Sequence, residues 1–464
     1  MSTPNCDLFS DPRTPEVLRR LRTPGGYEAF EAQVVGARFC RRPVRLRGSV
    51  TRTGSDGSRE KVFDSAKLPD GVLLKACGTR RETVCPPCAS IYRGDAFALV
   101  AAGLRGGKGV PESASSHPAV MVTLTAPSFG PVHRRNSDGA CHPFGKRCPH
   151  GRALVCTKRH AHDDEALGQA LCPRCYDYES AVLFNASVSE LWRRTVIYSL
   201  RALGNLAGLS VRSVAKQVRL SYIKVIEFQE RGSVHVHALV RLDGIGEGLV
   251  APPEAFSAEL LAAALELAAR RVSAPRPGSD DRSRLRWGEQ IDVAVVTDRD
   301  DGRRRAAAYL GKYATKGISA NGVLDHPLRA GIPESLELPT HLRRLVETAF
   351  HLADEAGYKQ LRLKAWAHNG GYRGHFLTKS RRFSTTFAEL RAVRRDWRIA
   401  QKGEKVITDG ESDASAEEAS SSWCFVGMGY TTAGDAWLAE CIGEEERMAR
   451  RHLCEERMER DSDF

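Results

Sequence analysis

Apolar and polar residues alternate most sharply in two neighbouring stretches, VRLSYIKVIEFQ (218–229) and SVHVHALVR (233–241). Both read as strands, because β-branched and aromatic residues recur at every second position. Only Glu230, Arg231 and Gly232 separate them, which fits a three-residue hairpin loop with the glycine in the left-handed conformation. That register sets Gln229 opposite Ser233 and Glu227 opposite His235. AVMVTLTAP (119–127) is a third strand, stopped by Pro127, and GEQIDVAVVTD (288–298) a fourth. Helical spacing of Val182, Leu183, Ala186, Leu191, Trp192, Val196 and Leu200 predicts a helix from Glu179 to about Leu203, broken by Gly204. Residues 252–272 predict a second helix and DGRRRAAAYLGKYATK (301–316) a third, with Asp301 as its cap and Gly317 ending it. The order β, α, β, β, α, β, α is the split βαβ plan: an α+β fold with an antiparallel sheet and helices on one face. The strand bearing His235 and His237 would be central, and the last helix would run back across the sheet.

Around this core the chain divides into four stretches. Residues 1–115 hold one cysteine set and end in a Gly-rich turn, and 116–330 hold the sheet, interrupted by a Cys/His-rich insertion at 141–175. Residues 331–400 are a basic, helical extension, expected to bind DNA. Residues 401–464 combine an acidic linker (402–423) with a charged surface helix (432–461). The longest apolar run, Leu260 to Ala269, is interrupted by Glu266 and too short to span a bilayer. No basic-then-apolar leader opens the chain, so the expected location is the cytosol. A net charge of +12 and a pI near 9.2, carried by pairs and triples such as Arg303-Arg304-Arg305, point to a polyanionic partner, most simply nucleic acid.

The histidine pair changes the picture most. Side chains alternate along a strand, so His235 and His237 share a face, and Glu227 joins them across the hairpin. Two imidazoles and a carboxylate leave open positions on a divalent ion, which can then polarise a phosphoryl oxygen. On the 301–316 helix, Tyr309 and Tyr313 share a face, and each is followed three residues later by a lysine, Lys312 or Lys316. The thirteen cysteines are clustered, which in a cytosolic chain suggests metal knuckles before disulfides. Cys148, Cys156, Cys172 and Cys175 (C-x7-C-x15-C-x2-C) form one zinc set, with His150, His160 and His162 as substitutes. Cys40, Cys77, Cys85 and Cys88 (C-x36-C-x7-C-x2-C) form a second. Lys379, Arg381 and Arg382 suit phosphate contacts, and Phe383 suits stacking on a base. GLRGGKG (103–109) lacks the first glycine and the final Ser/Thr of a phosphate-binding loop. No second such element is evident, so the chain is not expected to unwind DNA by itself.

A TLT strand, a His-hydrophobic-His strand and a YxxK helix, in that order, resemble the three motifs of HUH endonucleases that initiate rolling-circle replication. The likeness is closest to the replication initiators of actinomycete plasmids and integrative elements. It runs through MVTLTAPSFGPVH (121–133), CPHGRALVC (148–156), LCPRCYDYESAVLFN (171–185), FQERGSVHVHALVRLDG (228–244), AAYLGKYATKG (307–317) and GGYRGHFLTKSRRFSTT (370–386). The resemblance implies a nickase and strand transferase acting on single-stranded and supercoiled origin DNA. His235 and His237 would hold Mg²⁺ or Mn²⁺ with Glu227, for which Gln229 and Glu230 are the alternatives, since the spacing of this ligand varies in the family. Tyr313 would attack the phosphate, leaving a 5′-phosphotyrosine and a free 3′-OH, with Tyr309 as second nucleophile or helper and Lys316 and Lys312 stabilising phosphate charge. A conjugative relaxase or single-strand transposase shares this chemistry. A zinc-stabilised DNA-binding regulator without catalysis is the rival of a different class.

Overall fold

The computed structural model describes residues 13–54, 56–137, 139–278, 283–297, 301–316, 324, 327–328, 331–334, 336–401 and 418–462. In chain order the elements are α1 (Thr14–Arg22), α2 (Gly26–Gly36), β1 (Val44–Thr53), β2 (Arg59–Asp64), β3 (Leu73–Lys75), α3 (Pro86–Arg105), β4 (Ala119–Leu124), α4 (Tyr178–Leu206), α5 (Val211–Gln217), β5 (Val218–Phe228) and β6 (Val234–Gly244). There follow α6 (Ala258–Arg271), β7 (Ala274–Pro275), β8 (Arg284–Leu285), β9 (Ile291–Val295), α7 (Gly302–Lys316), α8 (Thr340–Asp354), α9 (Leu363–Trp366), β10 (Leu377–Lys379), α10 (Phe387–Gln401), β11 (Glu418–Met428) and α11 (Ala433–Ser462). They fall into two compact units, Met1–Tyr92 with Arg394–Phe464, and Arg93–Val393.

In the first unit β1 pairs antiparallel with β2, β3 and β11. The stretch read as acidic linker as far as residue 423 therefore enters a strand at Glu418 and pairs with β1 along its whole length. Its polar composition hid the strand, whose stability comes from a partner far away in sequence. The same closure recurs in side chains. Buried Arg20 donates from Nε to Asp435 across 415 residues of chain (2.9 Å), and Phe30 and Val34 of α2 bury against Leu438, Ala439 and Ile442 of α11.

In the second unit one antiparallel sheet has the order β10-β5-β6-β4-β9, with β6 at its centre. The hairpin forms in the expected register, Glu227 opposite His235. The Gln229 N–H donates to the Ser233 carbonyl (2.9 Å), and Gly232 takes φ +71°. Val234, Val236, Ala238, Val240 and Leu242 of β6 point to one face, where they pack with Phe184, Leu191, Leu261, Leu265 and Leu345 of α4, α6 and α8. Each such fully buried Val, Leu or Phe side chain contributes about 1.5–3 kcal/mol.

The expectation of helices on one face is corrected: α7 packs against β5 and β6 on the opposite side. The reason lies in β6 itself, whose other face carries His237, Leu239, Arg241 and Asp243, all buried, and so needs a cover of its own. Part of that cover is α3, whose Gly103 lies so close to Phe383 that an added Cβ would come within 2.3 Å of the ring. Arg241 holds this corner by donating to the carbonyls of Gly103 and Phe383 and, through Nε, to Asp243 (2.7 Å). Burial favours protonation of Asp243, yet hydrogen bonds from His117, Arg241 and Ser221 outweigh it and hold the carboxyl below its usual range. Gly204 does not break α4, which runs on to Leu206. It admits the Leu209 carbonyl, which would lie 2.8 Å from an added Cβ.

Candidate active site

The hairpin and α7 converge on the covered face of the sheet. His235 and His237 project from β6 with ring centroids 4.5 Å apart, and Glu227 Oε2 on β5 lies 3.1 Å from His237 Nε2. One ligand atom from each of Glu227, His235 and His237 can be chosen so that all lie within 4.8 Å of one another. Of the alternative third residues, Gln229 accepts from Arg231 (2.9 and 3.0 Å), and Glu230 is not in this group.

The TLT strand has a physical role that the motif alone does not reveal. Thr123 and Thr125 alternate with the core residues of β4, so both hydroxyls point toward the histidines. Thr123 Oγ1 lies 3.3 Å from His237 Nδ1, and Thr125 Oγ1 lies 3.2 Å from His235 Nδ1. In the tautomers that donate Nδ1–H to these hydroxyls, both Nε2 lone pairs are left for a ligand. Burial and the neighbouring His237 push the His235 pKa down to about 4, so this imidazole is neutral at physiological pH. Two imidazoles and a carboxylate make a donor set that suits a divalent ion and leaves part of its coordination shell open.

Opposite stand the two tyrosines. The ring of Tyr313 lies 4.3 Å from that of His237, Tyr309 lies 5.5 Å from it, and the two phenol rings are 4.6 Å apart. Burial raises the Tyr309 pKa, and its hydrogen bond to Tyr313 and the nearby charges of Glu227 and Asp292 raise it further. Tyr309 is therefore held protonated, as a donor toward Tyr313. Asp292 is a neighbour that the sequence pattern did not single out. It pairs with Thr123 in the β4–β9 register, and only the sheet order brings it near. Lys312 is exposed on α7, and the side chain of Lys316 lies outside the described residues.

The cysteine sets assemble, with one correction. Cys40, Cys77, Cys85 and Cys88 come together as expected, Cys40 and Cys85 with sulfurs 3.7 Å apart and Cys77 and Cys88 likewise. Cys148, Cys172 and Cys175 also meet, but their fourth member is His150, whose Nδ1 lies 3.1 Å from Cys175 Sγ. Cys156 belongs instead to a group with His133, Cys141 and His160. The cause is a short hairpin in which His142 and Cys156 exchange backbone hydrogen bonds of 2.8 Å, drawing Cys156 back beside Cys141 and away from Cys148. Spacing alone did not suggest this third group, because His133 lies outside the insertion as read from sequence. All the described cysteines are free thiols.

The basic segment divides by environment. Lys379 Nζ donates to the carbonyls of Ser384 (2.7 Å) and Arg381 (3.3 Å), so its charge is spent closing the turn, whereas Arg381 and Arg382 are exposed. Phe383, expected to stack on a base, is fully buried under Arg241, whose guanidinium carbon stands 5.4 Å from the ring centroid. Gly103 makes the room that draws this ring inward. No helix among the described residues is long and apolar enough to cross a membrane.

Residues 26–444 match the family described as replication initiator protein, pSAM2 (RepSA). A replication initiator protein of Streptomyces ambofaciens is 38% identical over 459 residues, covering 96% of each chain. No solved structure matches.

Proposed function

The chain belongs to the pSAM2 RepSA family of plasmid replication initiators, and from that premise we propose that it starts rolling-circle replication by nicking one strand of origin DNA through a tyrosine of α7. The observation that carries this reading is the meeting of Glu227, His235 and His237 with the Tyr309–Tyr313 pair on one covered face. On this reading the second unit is an HUH nickase domain, and its partners are single-stranded and supercoiled origin DNA with host helicase and polymerase, in the bacterial cytoplasm.

Glu227, His235 and His237 would hold Mg²⁺ or Mn²⁺, which when bound would withdraw charge from the scissile phosphate. Thr123 and Thr125 hold the imidazoles through Nδ1, which would leave their Nε2 atoms as the ligand atoms. Tyr313 is the nucleophile, being the nearer of the two rings to His237. Its oxygen forms a bond to phosphorus while the bond from phosphorus to the 3′ oxygen breaks, which leaves a 5′-phosphotyrosine and a 3′-OH that primes synthesis. Tyr309, kept protonated by burial, orients the Tyr313 oxygen and serves as the second acceptor when the strand is closed. Lys312 and Lys316 lie on the same helix and offset the charge that gathers on the phosphate. Because the ester keeps the phosphodiester energy, the 3′-OH reverses the step and religates the strand without ATP.

The cysteine tetrads are structural zinc sites on this account, and Arg381 and Arg382 meet the DNA backbone. The test is incubation with a supercoiled origin plasmid and Mn²⁺. The proposal expects an open circle with protein attached to the 5′ end. Tight, specific binding without any nick would instead identify a non-catalytic regulator.

A further inference from the structure

The two Cys/His groups between residues 133 and 175 alternate along the chain in a way that neither reveals alone. His133 and Cys141 belong to one group, Cys148 and His150 to the other, Cys156 and His160 to the first again, and Cys172 and Cys175 to the second. We infer that this segment is a single cross-braced module that binds two zinc ions, each needed for the other's site, and that it anchors the loops on either side of the clamp formed by Glu227, His235 and His237. The inference stands apart from the nicking chemistry.

Three observations support it. First, the segment has almost no core of its own. Its hydrophobic cluster is Cys141, Cys156 and Leu171 with Leu154, its cysteines are free thiols, and a stretch of about 40 residues without a core needs metal or disulfides to hold a fold. Second, a hairpin ties the groups together: the Cys141 N–H donates to Lys158 O (2.9 Å), and the Cys148 N–H at the far end donates to Arg152 O (2.8 Å). Each group therefore closes one end of a hairpin whose other end bears ligands of the other group, so unravelling either loosens the strands that position the other. Third, the ligands already show the supporting contacts of a zinc site. His160 Nδ1 lies 2.7 Å from Asp164 Oδ2, which leaves Nε2 facing Cys156 Sγ (3.4 Å) and His133 Nδ1 (3.2 Å), while the Arg134 N–H donates to Cys141 Sγ (3.2 Å).

The module is bound to the clamp's two loops. The Gly168 N–H donates to His133 O, and the Leu171 N–H donates to Pro131 O (2.9 Å), on the loop that follows β4. Gly168, at φ +78°, is so close to the hairpin turn that an added Cβ would lie 2.2 Å from the Glu230 carbonyl carbon. Arg231 of that turn donates to the carbonyls of Ala126 (2.9 Å) and Pro127 (2.8 Å), next to Thr125. Loss of the module would therefore loosen both Thr125 and the turn that leads into His235.

Native mass spectrometry of the full chain supplies the test. Cys141→Ser and Cys172→Ser should each lower the zinc count by two, whereas Cys85→Ser leaves those two ions in place. A loss of one ion from either variant, or an unchanged count in Cys141→Ser, overturns the cross-brace. Asp164→Asn, which keeps every ligand, should weaken zinc held by the module roughly 10- to 100-fold in a chelator competition. Unchanged competition would mean that Asp164 does not support a zinc ligand.

Discussion

Replacing Thr123 and Thr125 together by valine tests how the clamp is built, because it removes two hydroxyls and little else. Valine has nearly the same shape and suits a strand, and β4 is joined to β6 and β9 through its main chain, so the sheet should persist. What is lost is the partner of each imidazole Nδ1, at 3.3 and 3.2 Å. A neutral hydrogen bond of this kind contributes about 0.5–1.5 kcal/mol, so the pair amounts to about 1–3 kcal/mol. At about 1.4 kcal/mol per tenfold, Mn²⁺ affinity should fall roughly 5- to 150-fold, in line with the effect of removing contacts that orient metal-bound histidines. Calorimetric titration of Mn²⁺ into wild type and the double variant, with His235→Ala as the non-binding reference, measures it. If the double variant binds Mn²⁺ as wild type does while His235→Ala does not bind, the threonines do not orient the imidazoles and the assignment of Nε2 as the ligand atom falls with them.

Lys224, buried on the core face of β5, has its pKa pushed down to about 8 by burial. Below pH 8 folded and unfolded chains both carry this charge and the cost of burying it is complete; between 8 and about 10.5 only the unfolded chain keeps the proton, so stability rises with pH. Lys224→Met should therefore stabilise the protein by at most about 3 kcal/mol at pH 7, a gain that thermal melts should find fading above pH 8; a pH-independent change would contradict this. Gly103→Ala drives a methyl into the Phe383 ring and should cost about 1–3 kcal/mol in chemical denaturation, whereas an unchanged midpoint would mean that the ring moves aside freely. Arg381→Ala should reduce the slope of log affinity against log salt by about 1. Lys379→Met should instead lower stability with little change in that slope, and the reverse pattern would exchange their roles.

How much the sequence revealed depended on the distance over which each feature is stabilised. The 218–241 hairpin was legible to the residue, because alternation and a glycine at the turn are local signals, and with it came the placing of Glu227 beside the histidines. The α7 tyrosines were legible as a face, but their approach to His237 depends on which side of the sheet the helix covers. The buried Arg241 and Asp243 decided that side, and strand alternation does not show whether such residues face water. The exchange of Cys156 for His150 had a similar cause, since spacing ranks ligands along the chain whereas a backbone hairpin decides which ones meet. Strand β11 was the least legible, for its partner lies near the other end of the chain and its first half is serine-rich.

Mapping the covalent adduct tests the central claim most directly. An origin plasmid is nicked in the presence of Mn²⁺, the DNA is digested to a residual nucleotide, and the modified peptide is sequenced by mass spectrometry. The account predicts a 5′-phosphotyrosine on Tyr313, absent from Tyr313→Phe and from His237→Ala. An adduct on Tyr309 alone would exchange the two roles, and a nick with no tyrosine modified would contradict the mechanism.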